Sequence, residues 1–73
     1  MSTHHGPPPG YYFPRRARSD HYRTTPAGMR MSCIIAPGGH PIIAEGASRR
    51  FADRAVVEAA WAHHRERMKA VTT

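Results

Sequence analysis

The chain has 73 residues and a formal net charge of +6, with 11 Lys and Arg side chains against 5 Asp and Glu. This length allows one domain at most and leaves little room for the machinery of a typical enzyme. A single cysteine, Cys33, excludes an internal disulfide, and neither a signal-peptide pattern nor a run of about 18 apolar residues is present. We therefore expect a soluble protein of a reducing, cytoplasmic compartment, with no membrane partner and no small-molecule substrate.

Arginine supplies every positive side chain except Lys69. Its planar guanidinium group matches carboxylates and phosphates, so the composition predicts either nucleic acid or an acidic protein face as the partner. The composition does not decide between these two partners. A GC-rich genome also favours arginine over lysine, so the bias by itself has a second explanation.

Residues 1–26 are predicted to form a disordered arm rich in Pro, His and Arg. Gly6–Gly10 is typical of a polyproline II segment, and a Pro-rich arm cannot offset its ordering entropy by burying a core. Aromatic residues stand next to arginines in this arm, which suits stacking on bases, although tails without a specific role share this composition. The arm residues expected near nucleic acid are Tyr11, Tyr12, Arg15, Arg16 and Arg18.

A short strand is predicted at 21–25 and a turn at 26–28. Met29–Ala36 alternates with the two-residue period of a half-buried strand, which makes it the stronger strand prediction. The glycines of Pro37–His40 tolerate the positive φ values of a tight turn, so residues 42–45 should return antiparallel. The expected sheet is a β-hairpin or a three-stranded meander.

A helix is predicted from Arg49 to about Ala70. The Ser48 hydroxyl can cap its first turn, and the segment contains many alanines but no glycine or proline. The tail at 71–73 is predicted to be disordered. The expected fold class is therefore α+β, with a small module at 28–70 in which the sheet is followed by one C-terminal helix.

The predicted helix has two apolar faces, which is more than one small sheet can cover. An Ala-rich face contains Phe51, Ala52, Ala55, Val56, Ala59 and Ala62. A second stripe, the Trp61 stripe, contains Val57, Trp61, His64 and Met68. Either the Trp61 stripe forms the core, as is usual for large aromatics, or the Ala-rich face packs on the sheet isoleucines and the Trp61 stripe meets a partner protein.

No arrangement of residues in the sequence indicates catalysis, a cofactor or a metal. His63 and His64 are neighbours on the predicted helix, where adjacent side chains point about 100° apart, and one cysteine cannot complete a structural zinc set. Cys33 lies in an apolar strand, where a thiol usually acts as a small hydrophobic residue. We predict a non-enzymatic protein with no cofactor and no bound metal.

Ser48-Arg49-Arg50 places two cations at the start of the predicted helix. They oppose the positive end of the helix dipole, and a bound anion would reverse that unfavourable interaction. The run 48–55, which follows 42–46, resembles the last strand and second helix of a double-stranded-RNA-binding domain. This resemblance implies that Arg49 and Arg50 lie near the phosphates of an RNA duplex. A solvated basic turn is the alternative interpretation.

In its size, basicity, N-terminal arm and β-then-helix layout, the chain resembles the very small regulators with which lytic bacteriophages control the RNA polymerase of their host. The resemblance implies a transcription regulator that binds bacterial RNA polymerase in the host cytoplasm, inhibits host initiation or promotes antitermination, and keeps its arm near nascent RNA or DNA. Its apolar anchor would be either the sheet isoleucines or the Trp61 stripe, and two arginines would pair with acidic residues at the rim. The isoleucines are Ile34, Ile35, Ile42 and Ile43, the stripe residues are Val57, Trp61 and Met68, and the arginines are Arg23 and Arg30. Direct binding of RNA or DNA through the basic helix N-terminus is the alternative function.

Overall fold

The computed structural model describes residues 6–14 and 25–72. In chain order these residues contain strand β1 (Arg30–Ile35), strand β2 (Pro41–Gly46) and helix α1 (Arg49–Thr72). The two strands pair antiparallel, and the helix packs on one face of the hairpin. The predicted α+β class is confirmed, with a hairpin rather than a three-stranded meander. Residues 21–24 of the first predicted strand lie outside the described part of the chain.

The hairpin turns at Pro37–Gly39, as the sequence predicts. Gly39 N donates a hydrogen bond to Ala36 O at 2.9 Å, and Ala36 N donates to His40 O at 2.8 Å. Gly38 and Gly39 have φ values of 93° and 85°, in the region that residues with a Cβ rarely adopt. Proline followed by glycine is also the preferred pair for the centre of a type II turn, so the local sequence accounts for the reversal.

The two faces of the hairpin differ in burial. Ile34 pairs with Ile42 on the face that meets the helix, where Ile34 is fully buried and Ile42 is half-buried. Ile43 pairs with Cys33 on the opposite face, and Ile43 is 48% exposed. Cys33 is nevertheless buried, so β1 is covered on both faces. Its sequence alternation predicts a strand that is buried on one face only.

Helix α1 begins at the predicted cap. Ala52 N donates to Ser48 O at 2.9 Å, and Phe51 N donates to Ser48 Oγ at 3.4 Å. The helix continues to Thr72, slightly past the predicted end, because no glycine or proline interrupts it.

The hairpin meets the helix most closely at Gly46. Gly46 is buried, and a Cβ at this position would meet the backbone nitrogen of Ala52. Across the same interface, the Ser32 hydroxyl donates to Asp53 Oδ1 at 2.5 Å. Ser32 is fully buried, so this bond satisfies a polar group that burial would otherwise leave unpaired. Together these contacts fix the start of the helix against the sheet.

The core uses a narrow band of the helix. Its fully buried members are Ala52, Val56 and Ala60, which recur every four positions. Val57, from the Trp61 stripe, is also buried, whereas Phe51, from the Ala-rich face, is 55% exposed. Each alternative therefore holds only in part, since Ala52 and Val56 of the Ala-rich face are buried and Trp61 packs half-buried against the core. Because a two-stranded hairpin covers little width, the helix buries the boundary between the two predicted faces.

The segment Gly6–Pro14, here called the strap, packs against the hairpin and the helix. Tyr12 and Ile35 exchange backbone hydrogen bonds of 3.1 and 2.8 Å at the free edge of β1. Tyr11 is only 5% exposed and belongs to the core, and Pro8 is also buried. The sequence predicts that residues 1–26 form a disordered arm, whereas residues 6–14 of it pack against the core.

Candidate nucleic-acid interface

Arginines from the hairpin and the helix gather at one end of the molecule. Arg30 begins β1 and pairs with Gly46 at the end of β2. Gly46 lies against the first turn of α1, where Arg49 and Arg50 begin the helix and Arg54 follows one turn later. All four arginine side chains are exposed. These four arginines are called the basic end below.

Local charges make the basic end attractive to anions. The first turn of α1 contains no acidic side chain, and the positive end of the helix dipole adds to the potential there. Asp53, the next carboxylate along the helix, accepts the hydrogen bond from Ser32. Cations at this end oppose the helix dipole, and a phosphate bound there would turn that repulsion into attraction.

Phe51 adds an aromatic ring beside the basic end. It follows Arg50 directly in the first turn of α1 and exposes 55% of its surface. Helical periodicity assigns this residue to an apolar face, so its exposure is not predicted by that pattern. The sequence feature that could have indicated a surface role for Phe51 is its position directly after Arg49 and Arg50. An exposed ring among guanidinium groups suits packing against a base or a ribose.

The residues predicted to lie near nucleic acid occupy different environments. Arg49 and Arg50 are exposed at the helix start, and Tyr12 is 54% exposed on the strap. Tyr11 is buried and its hydroxyl bonds to His63, so its ring is not available for base stacking in this conformation. Arg15, Arg16 and Arg18 lie outside the described residues.

The residues predicted to bind protein are divided between core and surface. Ile34 and Val57 are buried in the core, which removes them from contact with a partner in this conformation. The half-buried members are Ile35, Ile42 and Trp61, and the exposed ones are Arg30, Ile43 and Met68. Arg23 lies outside the described residues. The exposed apolar members come from different elements, since Ile43 lies on β2 and Met68 near the end of α1.

Residues 6–14 and 25–72 contain no grouping of three or more His, Cys, Asp or Glu side chains that could hold a metal ion. The Cys33 thiol is buried within β1. Over the same part of the chain, no helix combines the length and the apolar composition needed to cross a membrane. The basic end is the surface feature with the clearest chemical character.

Comparison of the sequence with protein-family models gives no match, and comparisons with curated proteins and with solved structures give no significant match. Function is therefore argued from the residues and the geometry of this chain.

Proposed function

We propose that this protein is a non-enzymatic RNA-binding protein whose basic end contacts the phosphates of double-helical RNA. The observation that carries the proposal is the close approach of Gly46 to the first turn of α1, which places Arg30 at the same end as Arg49 and Arg50. Guanidinium groups from two elements offer bidentate hydrogen bonds to phosphate oxygens. The net charge of +6 adds long-range attraction to a polyanion.

The order of the elements supports a duplex as the target. A strand followed by a helix with a cationic start is the arrangement implied by the resemblance of 48–55, after 42–46, to the last strand and second helix of a double-stranded-RNA-binding domain, and β2 and α1 have this order. Domains of that kind recognise the shape of the duplex through phosphates and ribose hydroxyls, with little dependence on base sequence. Phe51 at the same end supplies a ring that can pack against ribose.

Replacing Arg49 and Arg50 together with alanine is expected to weaken binding to an RNA duplex of about 20 base pairs by about tenfold or more. The loss follows from the removal of two phosphate contacts. Fluorescence anisotropy at several salt concentrations measures it, and the slope of log affinity against log salt should fall by about two.

The matched control is the double replacement of Arg65 and Arg67 with alanine, which removes the same charge from the other end of α1. This control is expected to retain most of the affinity. Equal losses in the two double variants would indicate attraction by net charge alone and would contradict a defined interface at the basic end. Full retention of affinity in the Arg49 and Arg50 variant would contradict it as well.

We propose regulation of bacterial RNA polymerase as a second candidate function, because the outward face of the hairpin carries two exposed apolar side chains. Tyr12 and Ile43 are 54% and 48% exposed. Their pairing with Ile35 and Cys33 places both side chains on the face opposite the helix. An aromatic and an aliphatic residue together are typical of an anchor in a protein interface. The resemblance to phage regulators suggests that the partner is bacterial RNA polymerase and that the protein acts in the cytoplasm of the host.

A pull-down from bacterial lysate separates the two functions. If docking is direct, polymerase subunits should remain bound after nuclease treatment, and Ile43→Asp should reduce their recovery by about tenfold or more because it places a charge in the anchor. Ala62→Asp is the control, since it places the same charge on an exposed apolar residue that belongs neither to the predicted anchor nor to the basic end. Loss of polymerase on nuclease treatment would contradict direct docking and favour RNA binding.

A further inference from the structure

The outer edge of strand β2 is open. Strand β1 has β2 on one side and Tyr12 of the strap on the other, whereas within residues 6–14 and 25–72 strand β2 pairs with β1 alone. No backbone hydrogen bond among these described residues reaches the outer edge of β2. An open edge presents N–H and C=O groups to which a further strand can bind.

The pairing register identifies the groups on this edge. Ile35 bonds to Tyr12 through its N–H and its C=O, so both groups point away from β2. Backbone direction alternates along a strand and matches between paired residues, so Ile43 and Glu45 point their N–H and C=O groups away from β1. Pro41 points the same way but offers only its C=O, because proline has no N–H.

These groups are complementary to a second copy of the same edge. In an antiparallel pair with a two-fold axis at Ile43, the two Ile43 residues exchange both of their backbone hydrogen bonds. Each Glu45 N–H then donates to the Pro41 C=O of the other copy, so the missing proline donor removes none of these bonds. On the outward face the two Ile43 side chains become neighbours, and each is 48% exposed in the single chain.

The helices fit the same arrangement. Asp53 bonds to Ser32 of β1 and Trp61 bonds to the strap beyond it, so this side of α1 lies toward β1. Helical periodicity places Ala55 and Ala59 on the opposite side, toward β2, and both are half-buried. Adjacent strands are about 4.8 Å apart, so helices that each lie over the middle of a hairpin would have axes about 10 Å apart. Packed helices are typically about 8–10 Å apart, and small side chains at the contact allow that approach.

Charge also favours a second copy on this side. The net charge of +6 makes two copies repel over much of their surface, but Glu45 lies on the open edge and Glu66 on the side of α1 that faces β2. The helix begins beside Gly46 and passes the hairpin turn at His63, which stacks on His40. A two-fold axis perpendicular to the sheet makes the helices antiparallel, so Glu66 of each copy lies near the basic end of the other. A carboxylate near a cationic helix start is attractive.

We propose that the protein forms a symmetric homodimer in which the β2 strands of two copies pair antiparallel. The dimer has one continuous sheet, with both helices on the same face and Ile43 at the two-fold axis. Domains as small as this one commonly gain stability from association. The register sets the two basic ends about 20 Å apart along the sheet, since six residues separate them. The dimer does not depend on RNA binding.

Sedimentation equilibrium of the full chain, freed of nucleic acid by nuclease, measures the mass in solution. One chain has a mass of 8.2 kDa. The mass is expected to rise toward twice this value between about 1 μM and about 1 mM protein. The mass of a single chain at every concentration would overturn the proposal. The variant with both Arg49→Ala and Arg50→Ala should dimerise at least as well, so loss of RNA binding and loss of the dimer are distinguishable.

Amide hydrogen exchange, followed by nuclear magnetic resonance, locates the interface. The Ile43 and Glu45 amides should exchange slowly in the dimer and faster by about tenfold or more in diluted protein. Ile42 and Ala44 are the internal controls, because their amides point toward β1 and should stay protected at both concentrations. A dimer in which the Ile43 and Glu45 amides exchange as fast as in diluted protein would overturn the proposal, since another surface would then form the contact.

Ile43→Pro removes the donor at the two-fold axis without removing a bond to β1, and proline is tolerated where an edge N–H faces solvent. This variant should have the mass of one chain at concentrations where the unmodified protein is a dimer. Ile43→Val is the matched control, because it keeps the donor and a β-branched side chain, and it should remain a dimer. A dimeric Ile43→Pro protein would contradict the proposed pairing. If Ile43→Pro does not fold, the exchange measurement decides.

Discussion

Replacing Gly46 with alanine is expected to leave a large fraction of the molecules unfolded. The new Cβ would meet Ala52 N and lie 2.5 Å from Phe51 C and 2.8 Å from Ala52 Cα. These atoms belong to the helix backbone and cannot rotate away, so the helix would have to move off the hairpin. Overpacking of this kind costs about 3 kcal/mol or more, which is comparable with the whole stability of such a small single-core domain.

Urea unfolding followed by circular dichroism measures the effect of Gly46→Ala. The control is Gly6→Ala, because nothing lies within 4 Å of a Cβ added at Gly6. This control should change the unfolding free energy by about 0.5 kcal/mol at most. A Gly46→Ala protein with the unfolding midpoint of the unmodified chain would show that the helix backbone leaves room for a Cβ at Gly46.

Replacing Tyr11 with alanine is expected to lower the unfolding free energy by about 3 kcal/mol or more, the usual range for truncating a buried aromatic side chain. Tyr11 is 5% exposed and packs in the core, and its hydroxyl bonds to His63. Truncation removes the ring, opens a cavity and breaks that hydrogen bond. Thermal unfolding and urea unfolding both measure the loss.

The neighbouring residue supplies the control for Tyr11. Tyr12 is 54% exposed, so Tyr12→Ala should cost about 1 kcal/mol at most. A protein that loses no stability on Tyr11→Ala would contradict the packing of the strap against the hairpin and the helix. It would also return residues 6–14 to the role of an arm that does not contribute to the core.

Much of the hairpin and the helix could be predicted from the sequence, because local signals specify them. The alternation of Met29–Ala36, the turn at Pro37–Gly39 and the cap at Ser48 each depend on residues a few positions apart. The pairing register then follows from the turn. Local backbone preferences and the tertiary fold agree in this part of the chain.

The strap could not be predicted in the same way. Its proline-rich composition is typical of an extended arm. It packs because Tyr11 and Pro8 are buried and because Tyr12 bonds to the backbone of Ile35, which are contacts between residues far apart in sequence. No periodicity marks a contact of that kind. The sequence left the buried side of the helix open for a related reason, since it depends on the width of a sheet whose strand number the sequence also left open.

The candidate interface was predicted in part. Arg49 and Arg50 stand out in the sequence as cations at a helix start, where the dipole disfavours them. The position of Arg30 beside them follows only from the pairing of Arg30 with Gly46 and from the contact of Gly46 with the helix. Sequence patterns also assign Phe51 to an apolar face, and only the three-dimensional structure shows that this ring is exposed.

The strap closes contacts between parts of the chain that are far apart in sequence. The bond from Tyr11 to His63 spans 52 positions, and the bond from Trp61 to Gly6 spans 55. Contacts that close long loops form late, because the entropy of loop closure opposes them until other structure is in place. Hairpin and helix formation should then set the folding rate, while strap contacts mainly set the rate of unfolding. We therefore expect residues 6–14 to affect how long the native state lasts more than how fast it forms.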